Sequence, residues 1–208
     1  GDMINATEFW GDNNSQCPDA IITNGTPGTC NGNGNGIVTQ DAPGPSQKSE
    51  GFMFWQHLAN AGLIAGSYTG IAGTGVTGFG TSEDADININ VPGSKLPNAA
   101  WGIEDIMDPG PGDGALFTMD YGKNTLEYGF DINMGGDIDR PLFTPDEAYM
   151  LDNKMDDGQP GYGNVIGRYW NNLCSAATDG TTTANDLNAY YRVADNTTQC
   201  AFEFRNVW

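Results

Sequence analysis

The sequence predicts an α+β fold in which short helices and antiparallel strands are carried between long loops, and three observations predict it. Two segments, 50–62 and 144–158, place apolar residues at helical spacing between capping signals. Two others, 115–132 and 200–207, run or alternate in strand-forming residues. Between them lie stretches of Gly, Asn, Thr and Pro, with 30 glycines among 208 residues, a composition suited to turns that need positive φ or side-chain caps. A chain of this length holds one domain of ordinary size, so residues 1–208 read as a single globular domain.

The elements follow in order. Residues 11–48 read as a long surface loop stapled by the first cysteine pair. Ser49 is the expected cap of a helix running from Glu50 toward Gly62, with Phe52, Trp55 and Ala59 on its buried face and Leu58 beside them. The stretch Gly66–Gly80 is too glycine-rich for a helix, and a weak strand is expected near Ile87–Val91. Ala115–Tyr121 and Thr125–Ile132 are expected to pair as a hairpin through Gly122-Lys123-Asn124. Thr144-Pro145-Asp146-Glu147 is a capping box with proline in the first turn. The helix it opens is expected to end by Gly158 and to bury Ala148, Leu151 and Met155, leaving Asp146, Asn153, Lys154 and Asp157 toward solvent. The alternation over Cys200–Val207 reads as a half-buried strand.

Charge narrows the function classes. The chain carries 27 acidic against 8 basic residues, a formal net charge of -19. Such a surface repels nucleic-acid phosphates and anionic lipid headgroups, so neither is an expected partner. It attracts hard divalent cations, and it also suits an exported surface that only needs to stay in solution. No apolar run is long enough to span a bilayer, and the first residues are not a signal peptide, so the chain reads as a processed or trimmed piece.

Cys17, Cys30, Cys174 and Cys200 fall into two sequence-local pairs, although three pairings are possible. Cys17–Cys30 and Cys174–Cys200 is the expected one. No Cys-x-x-Cys spacing occurs and His57 is the one histidine, which argues against a zinc or redox site and for disulfides made in an export compartment.

The run Asn31-Gly32-Asn33-Gly34-Asn35-Gly36-Ile37-Val38 places side-chain oxygens at alternate positions before a glycine and a β-branched pair, as the first half of an EF-hand loop does. Asn31, Asn33, Asn35 and Asp41 are therefore candidate calcium ligands. Ala42 stands where that loop has a bidentate Glu, and the run also fits a plain Asn-Gly turn loop. Asp131 to Asp139 and the group Asp152, Asp156 and Asp157 are further carboxylate clusters, the last fitting a helix stop equally well.

For catalysis the sequence offers little. His57 sits among aromatics on a helix and reads as a satisfied core histidine. No nucleophile elbow or phosphate loop is present, and acids are too abundant for any pair to stand out, so an enzyme is not expected. Trp101, Tyr162, Tyr169 and Trp170 lie in Gly- or Asn-rich surroundings and are the candidates for an aromatic surface that stacks on glycans, or for the cover of a thin core.

Three segments, Gly1-Asp2-Met3-Ile4 through Trp10-Gly11, Glu50-Gly51-Phe52-Met53-Phe54-Trp55 through Tyr68, and Leu142-Phe143-Thr144-Pro145 through Gly158-Gln159-Pro160-Gly161, together resemble the bacterial prepilin-like proteins, the class of type IV pilins and type II secretion pseudopilins. The resemblance implies a head of antiparallel strands packed on the end of a hydrophobic helix that would lie upstream of Gly1. It implies a disulfide-bounded C-terminal region, by position Cys174 to Cys200, often exposed on the filament. It implies a structural subunit in the periplasm or outside the cell, with other pilin or pseudopilin subunits as partners and membrane contact only through the upstream helix. Calcium sites in the head are known in the secretion branch. The second class considered is a secreted adhesin or glycan-binding domain on the same head, which a clustered aromatic patch beside a cation site would favour.

Overall fold

The computed structural model describes residues 2–11, 29–38, 50–71, 85–104, 117–118, 124–131, 138–168, 172–177 and 186–206. It is α+β, with three short helices, α1 (Ala6–Trp10), α2 (Glu50–Asn60) and α3 (Pro145–Met155). The strands are β1 (Ala99–Glu104), β2 (Thr125–Phe130), β3 (Val165–Gly167), β4 (Ser175–Ala176), β5 (Tyr190–Tyr191) and β6 (Phe202–Phe204). They make a four-strand antiparallel sheet and a two-strand pair. Two compact units result: Gly1–Glu104 with Asp131–Asp137, and Asp105–Phe130 with Ile138–Trp208. Among the described residues no helix is long and apolar enough to cross a membrane.

In the first unit, α2 ends as its sequence predicts. Gly62 takes φ 69, and the N–H groups of Gly62 and Leu63 donate to the carbonyls of Ala59 and Leu58, both at 2.9 Å, which satisfies carbonyls that a helix end otherwise leaves bare. Phe52 and Trp55 are buried as expected, but Met53, Gln56 and His57 are buried too, whereas Leu58 and Ala59 are half-buried. The helix is covered on more than one side because it packs against β1, whose Ala99, Ala100 and Ile103 are buried, and because His57 meets the Trp10 ring at 5.6 Å.

The expected strand at Ile87–Val91 is a turn closed by a bridge between its ends. Asp and Asn decide this. The Asp86 carbonyl accepts from the N–H groups of Ile89 and Asn90, both at 3.0 Å, the Asn90 carboxamide caps Asp86 N at 2.6 Å, and Asn88 takes φ 63. Such local bonds outcompete a ladder.

In the second unit β6 is flanked by β2 and β3, antiparallel to both. Its residues form three rungs: Leu126–Phe204–Val165, Glu127–Glu203–Ile166 and Tyr128–Phe202–Gly167. One face carries the aromatics, with Phe202 5.4 Å from Phe143 and 6.0 Å from Phe204 between ring centroids. The other carries Glu127, Glu203 and Ile166, all 0 % exposed. β6 is thus buried on both faces at Phe202 and Glu203, with β2 and β3 flanking it, and becomes half-buried only at Phe204.

The expected hairpin of 115–121 with 125–132 is also revised. β2 forms, but it pairs with β6 in this unit, and Phe117 bridges Arg168. Residues 115–116, 119–123 and 132 lie outside the described ones. The long-range register wins because it buries Phe117 and Phe202, at 0 % and 2 % exposure, and strand preference follows such packing more than local sequence.

α3 starts where the capping box requires. The Thr144 hydroxyl accepts from Glu147 N at 3.3 Å, and the Glu147 carboxylate accepts from Thr144 N at 2.9 Å, with Pro145 in the first turn. Thr144→Ala is expected to lower stability by about 1 kcal/mol and Thr144→Ser to leave it unchanged, read from urea unfolding midpoints. The helix buries Pro145, Ala148 and Asp152 and half-buries Leu151 against Val165, Cys174, Tyr191, Cys200 and Phe202. Met155, expected in that stripe, is 60 % exposed. Its angle around the helix matches Ala148, but it is the last helical residue and the chain turns away at Asp156.

Cys174 and Cys200 form a disulfide with Cα atoms 4.9 Å apart, both sulfurs lying in this core. Cys30 is buried and disulfide-bonded. Cys17, the partner expected for it, lies outside the described residues.

Candidate functional site

The end of α3 and the loop after it bring one carboxylate oxygen each of Asp152, Asp156 and Asp157 within 4.8 Å of one another. Asp152 stands one turn after Ala148 on the buried stripe and is 0 % exposed. Its Oδ2 accepts from the Tyr191 hydroxyl at 2.8 Å and its Oδ1 from Gly158 N at 3.1 Å.

Three glycines make this arrangement possible. At Gly167 a Cβ would lie 2.8 Å from the Tyr191 ring, so only a bare backbone lets Tyr191 lie across β3 and reach Asp152. Gly158, at φ 77, turns its N–H back toward the helix end. At Gly163, at φ 78, a Cβ would collide with Asp156 Oδ2 and lie 3.0 Å from Asp157 Oδ2. Backbone amides hold the outer two acids: Asp156 Oδ2 accepts from Val165 N at 3.1 Å and from Asn164 N, and Asp157 Oδ1 accepts from Gln159 N at 2.8 Å. With one oxygen each, the three carboxylates form an oxygen set of the kind hard cations prefer.

Burial pushes the Asp152 carboxyl up to about 6, against the pull of its bonds from Tyr191 and Gly158, while the charges of Asp157 and Asp156 add to the rise. Tyr191 is pushed well above its ordinary value, first by burial and then by the Asp152 charge. Between pH 4 and 6 the folded chain therefore holds the Asp152 proton more firmly than the unfolded chain does. The penalty of ionising Asp152 is absent below about pH 4 and fully present above about pH 6. His57, lowered to about 4 mainly by burial, acts in the opposite sense, losing stability as pH falls from about 6.5 to about 4. Asp152→Asn isolates the first effect. Relative to the parent it is expected to gain roughly 1–3 kcal/mol on going from pH 4 to pH 7, read from urea unfolding at both values; parallel curves for the two proteins would refute this.

The other sequence-predicted sites lie elsewhere. In the Asn-Gly run the carboxamide oxygens of Asn31, Asn33 and Asn35 accept from the N–H groups of Thr7, Asn35 and Ile37 at 2.9, 2.9 and 2.8 Å. The loop also turns N–H groups outward onto carboxylates: Asn35 N and Gly36 N donate to Asp2 at 3.0 and 2.7 Å, and Asn33 N to Glu50 at 2.9 Å. That is the geometry of a backbone nest for an anion, filled by the chain's own acids. Asp41 lies outside the described residues. Trp101 is half-buried on β1 and Tyr162 is exposed in the loop after α3, while Tyr169 and Trp170 lie outside the described residues. His57 is buried with Nε2 2.9 Å from the Cys30 carbonyl; since the ring is neutral, Nε2 carries the proton and donates. Asp139 is paired with Arg168 at 3.2 Å, and Asp131 is buried.

The acidic trio is visible in sequence as Asp152, Asp156 and Asp157. Tyr191 is not, because nothing local links it to a residue 39 positions away; the glycines of Gly161-Tyr162-Gly163 and Gly167 were its only trace. No protein-family model, curated protein or solved structure matches this chain significantly.

Proposed function

We propose that the chain is a structural subunit of an extracellular or periplasmic filament of the type IV pilin and pseudopilin class, acting through contacts with other subunits. One observation carries this reading. The Cys174–Cys200 disulfide bounds a segment that leads into the central strand β6 and holds Leu187, Tyr190 and Val193 outward at 47, 53 and 46 % exposure. Apolar side chains held outward on a stapled frame suit a protein contact more than a solvated surface. The disulfide is in keeping with an oxidising compartment outside the cytoplasm, and the three ordered segments that resemble prepilin-like heads support the class.

The test is where the native protein resides. Gold-labelled antibody is expected to decorate filaments sheared from the source bacterium, and a Leu187→Lys/Tyr190→Lys variant is expected to be exported, to form its disulfide and to be missing from those filaments. Label confined to a non-filamentous secreted fraction would sink the reading.

A calcium ion belongs to the same proposal, held by Asp156 and Asp157 with Asp152 behind them. Because a ligand of the native state raises its stability, millimolar calcium is expected to raise the melting temperature above that in chelator, and Asp157→Asn to abolish the rise. An unchanged melt removes the metal and leaves the trio as the helix stop.

A further inference from the structure

We propose that a cleft in the first unit, beside Trp10, binds a neutral sugar. The cleft encloses about 330 Å³ between α1, α2 and residues 67–69, and its lining includes Trp10, Gln56, Asn60, Ser67 and Tyr68. That volume is at the small end of ligand pockets, which run from about 300 to 1,000 Å³.

Among the described residues, no charged side chain lines it. In a chain of net charge -19 this sets it apart, since a cation site needs carboxylates and an anion site needs Lys, Arg or converging amides. What the cleft offers is an indole plane, a phenol, two carboxamides and hydroxyls. A sugar presents the complementary set: a C–H face that stacks on an aromatic ring, and hydroxyls that both donate and accept.

The groups are held in place, with bonding capacity to spare. The Trp10 indole, half-exposed, rests on the His57 ring at 5.6 Å. The Gln56 carboxamide is anchored by Nε2 donating to the Thr69 carbonyl at 2.8 Å. Its Oε1 has no partner, although Gln56 is only 5 % exposed. Gly70 backs this atom so closely that a Cβ there would lie 2.6 Å from it. Asn60 donates through Nδ2 to the Thr29 hydroxyl at 3.2 Å, which leaves its Oδ1 as a second acceptor. A buried acceptor without a donor is costly and needs an explanation, and a small turn of the Gln56 carboxamide toward the cleft would let a ligand hydroxyl supply the missing donor. The inference is independent of the filament reading, and it uses none of Trp101, Tyr162, Tyr169 and Trp170.

The experiment is an amide-resolved NMR titration of the whole chain with glucose, galactose, mannose and N-acetylglucosamine, with glucuronic acid as the charged control. The expected result is saturable shifts at Gln56, Asn60 and Ser67 and at the Trp10 indole N–H with at least one neutral sugar, and weaker or no response to the control. Trp10→Ala and Asn60→Ala are each expected to weaken binding about tenfold or more. Trp10 also packs on His57, so a misfolded Trp10→Ala leaves the decision to Asn60→Ala and Ser67→Ala, both at exposed positions. No shift from any of the four sugars at millimolar concentration overturns the proposal, as do shifts confined to other residues, or affinity unchanged in the Asn60→Ala and Ser67→Ala variants.

Discussion

Asp139→Asn is expected to destabilise the second unit by about 3–5 kcal/mol, the usual result of stranding one partner of a buried ion pair. Asp139 and Arg168 are each 2 % exposed and meet at 3.2 Å; Arg140 approaches the same carboxylate at 3.5 Å from a more open position. Burial lowers the tendency of Arg168 to hold its proton, and the Asp139 charge opposes this. Without that charge a guanidinium remains in the interior, beside strands that also carry Glu127 and Glu203 at 0 % exposure. The double variant Asp139→Leu/Arg168→Met is expected to recover most of the loss, since replacing both members of such a pair by apolar groups is often neutral. Urea unfolding of the three proteins decides it. A loss below about 1 kcal/mol in the single variant would mean that the pair is relaxed or hydrated.

Removing the Cys174–Cys200 disulfide in a Cys174→Ala/Cys200→Ala variant is the second large effect. The bond spans a sequence separation of 26, for which loop-closure entropy in the unfolded chain corresponds to about 3.5 kcal/mol. Truncating two side chains that are 0 % exposed leaves a small void and adds to the loss. The effect should be local first: Cys200 N donates to the Phe143 carbonyl at 2.9 Å and Arg192 N to the Cys174 carbonyl at 2.9 Å, so amide exchange is expected to accelerate around 142–144 and 190–200 before the rest of the unit. Equal stability of the oxidised parent and the variant would show that packing alone holds this region.

Local grammar made α2 and α3 readable, with the stop of the one and the start of the other, but not α1, whose Asn5 makes no side-chain cap bond. The Thr144 to Glu147 box and the Gly62 stop concern groups within five residues of one another, where sequence and geometry are tied by the chain itself. The strands were less readable. β1, Ala-Ala-Trp-Gly-Ile-Glu, and β3, Val-Ile-Gly, carry no alternation, and the pattern of β2 misleads, since Thr125, Glu127 and Gly129 are its buried positions and Leu126, Tyr128 and Phe130 its half-buried ones.

The candidate site divides in the same way. Sequence marks the acids at 152, 156 and 157, because a helix stop and a carboxylate group share residues there. It does not mark which acid is inside. That depends on Tyr191 crossing a glycine of another strand, and on Gly163 leaving room for two carboxylates. In the Asn-Gly run the oxygens are spaced as cation ligands, and in the fold each accepts from a backbone amide, that of Asn31 from Thr7 far along the chain, while the loop's own N–H groups receive Asp2 and Glu50.

By itself, then, the sequence determined the start of α3, the stop of α2 and the acidic character of the surface, all of which rest on composition or on neighbours along the chain, and it favoured the Cys174–Cys200 staple among three possible pairings. Only the tertiary structure decided the strand partners, the burial of Glu127 opposite Glu203, the pairing of Asp139 with Arg168 and the inward place of Asp152. The physical reason is that a buried charge or a sheet register is set by which distant surface excludes water from it, and no local pattern carries that information.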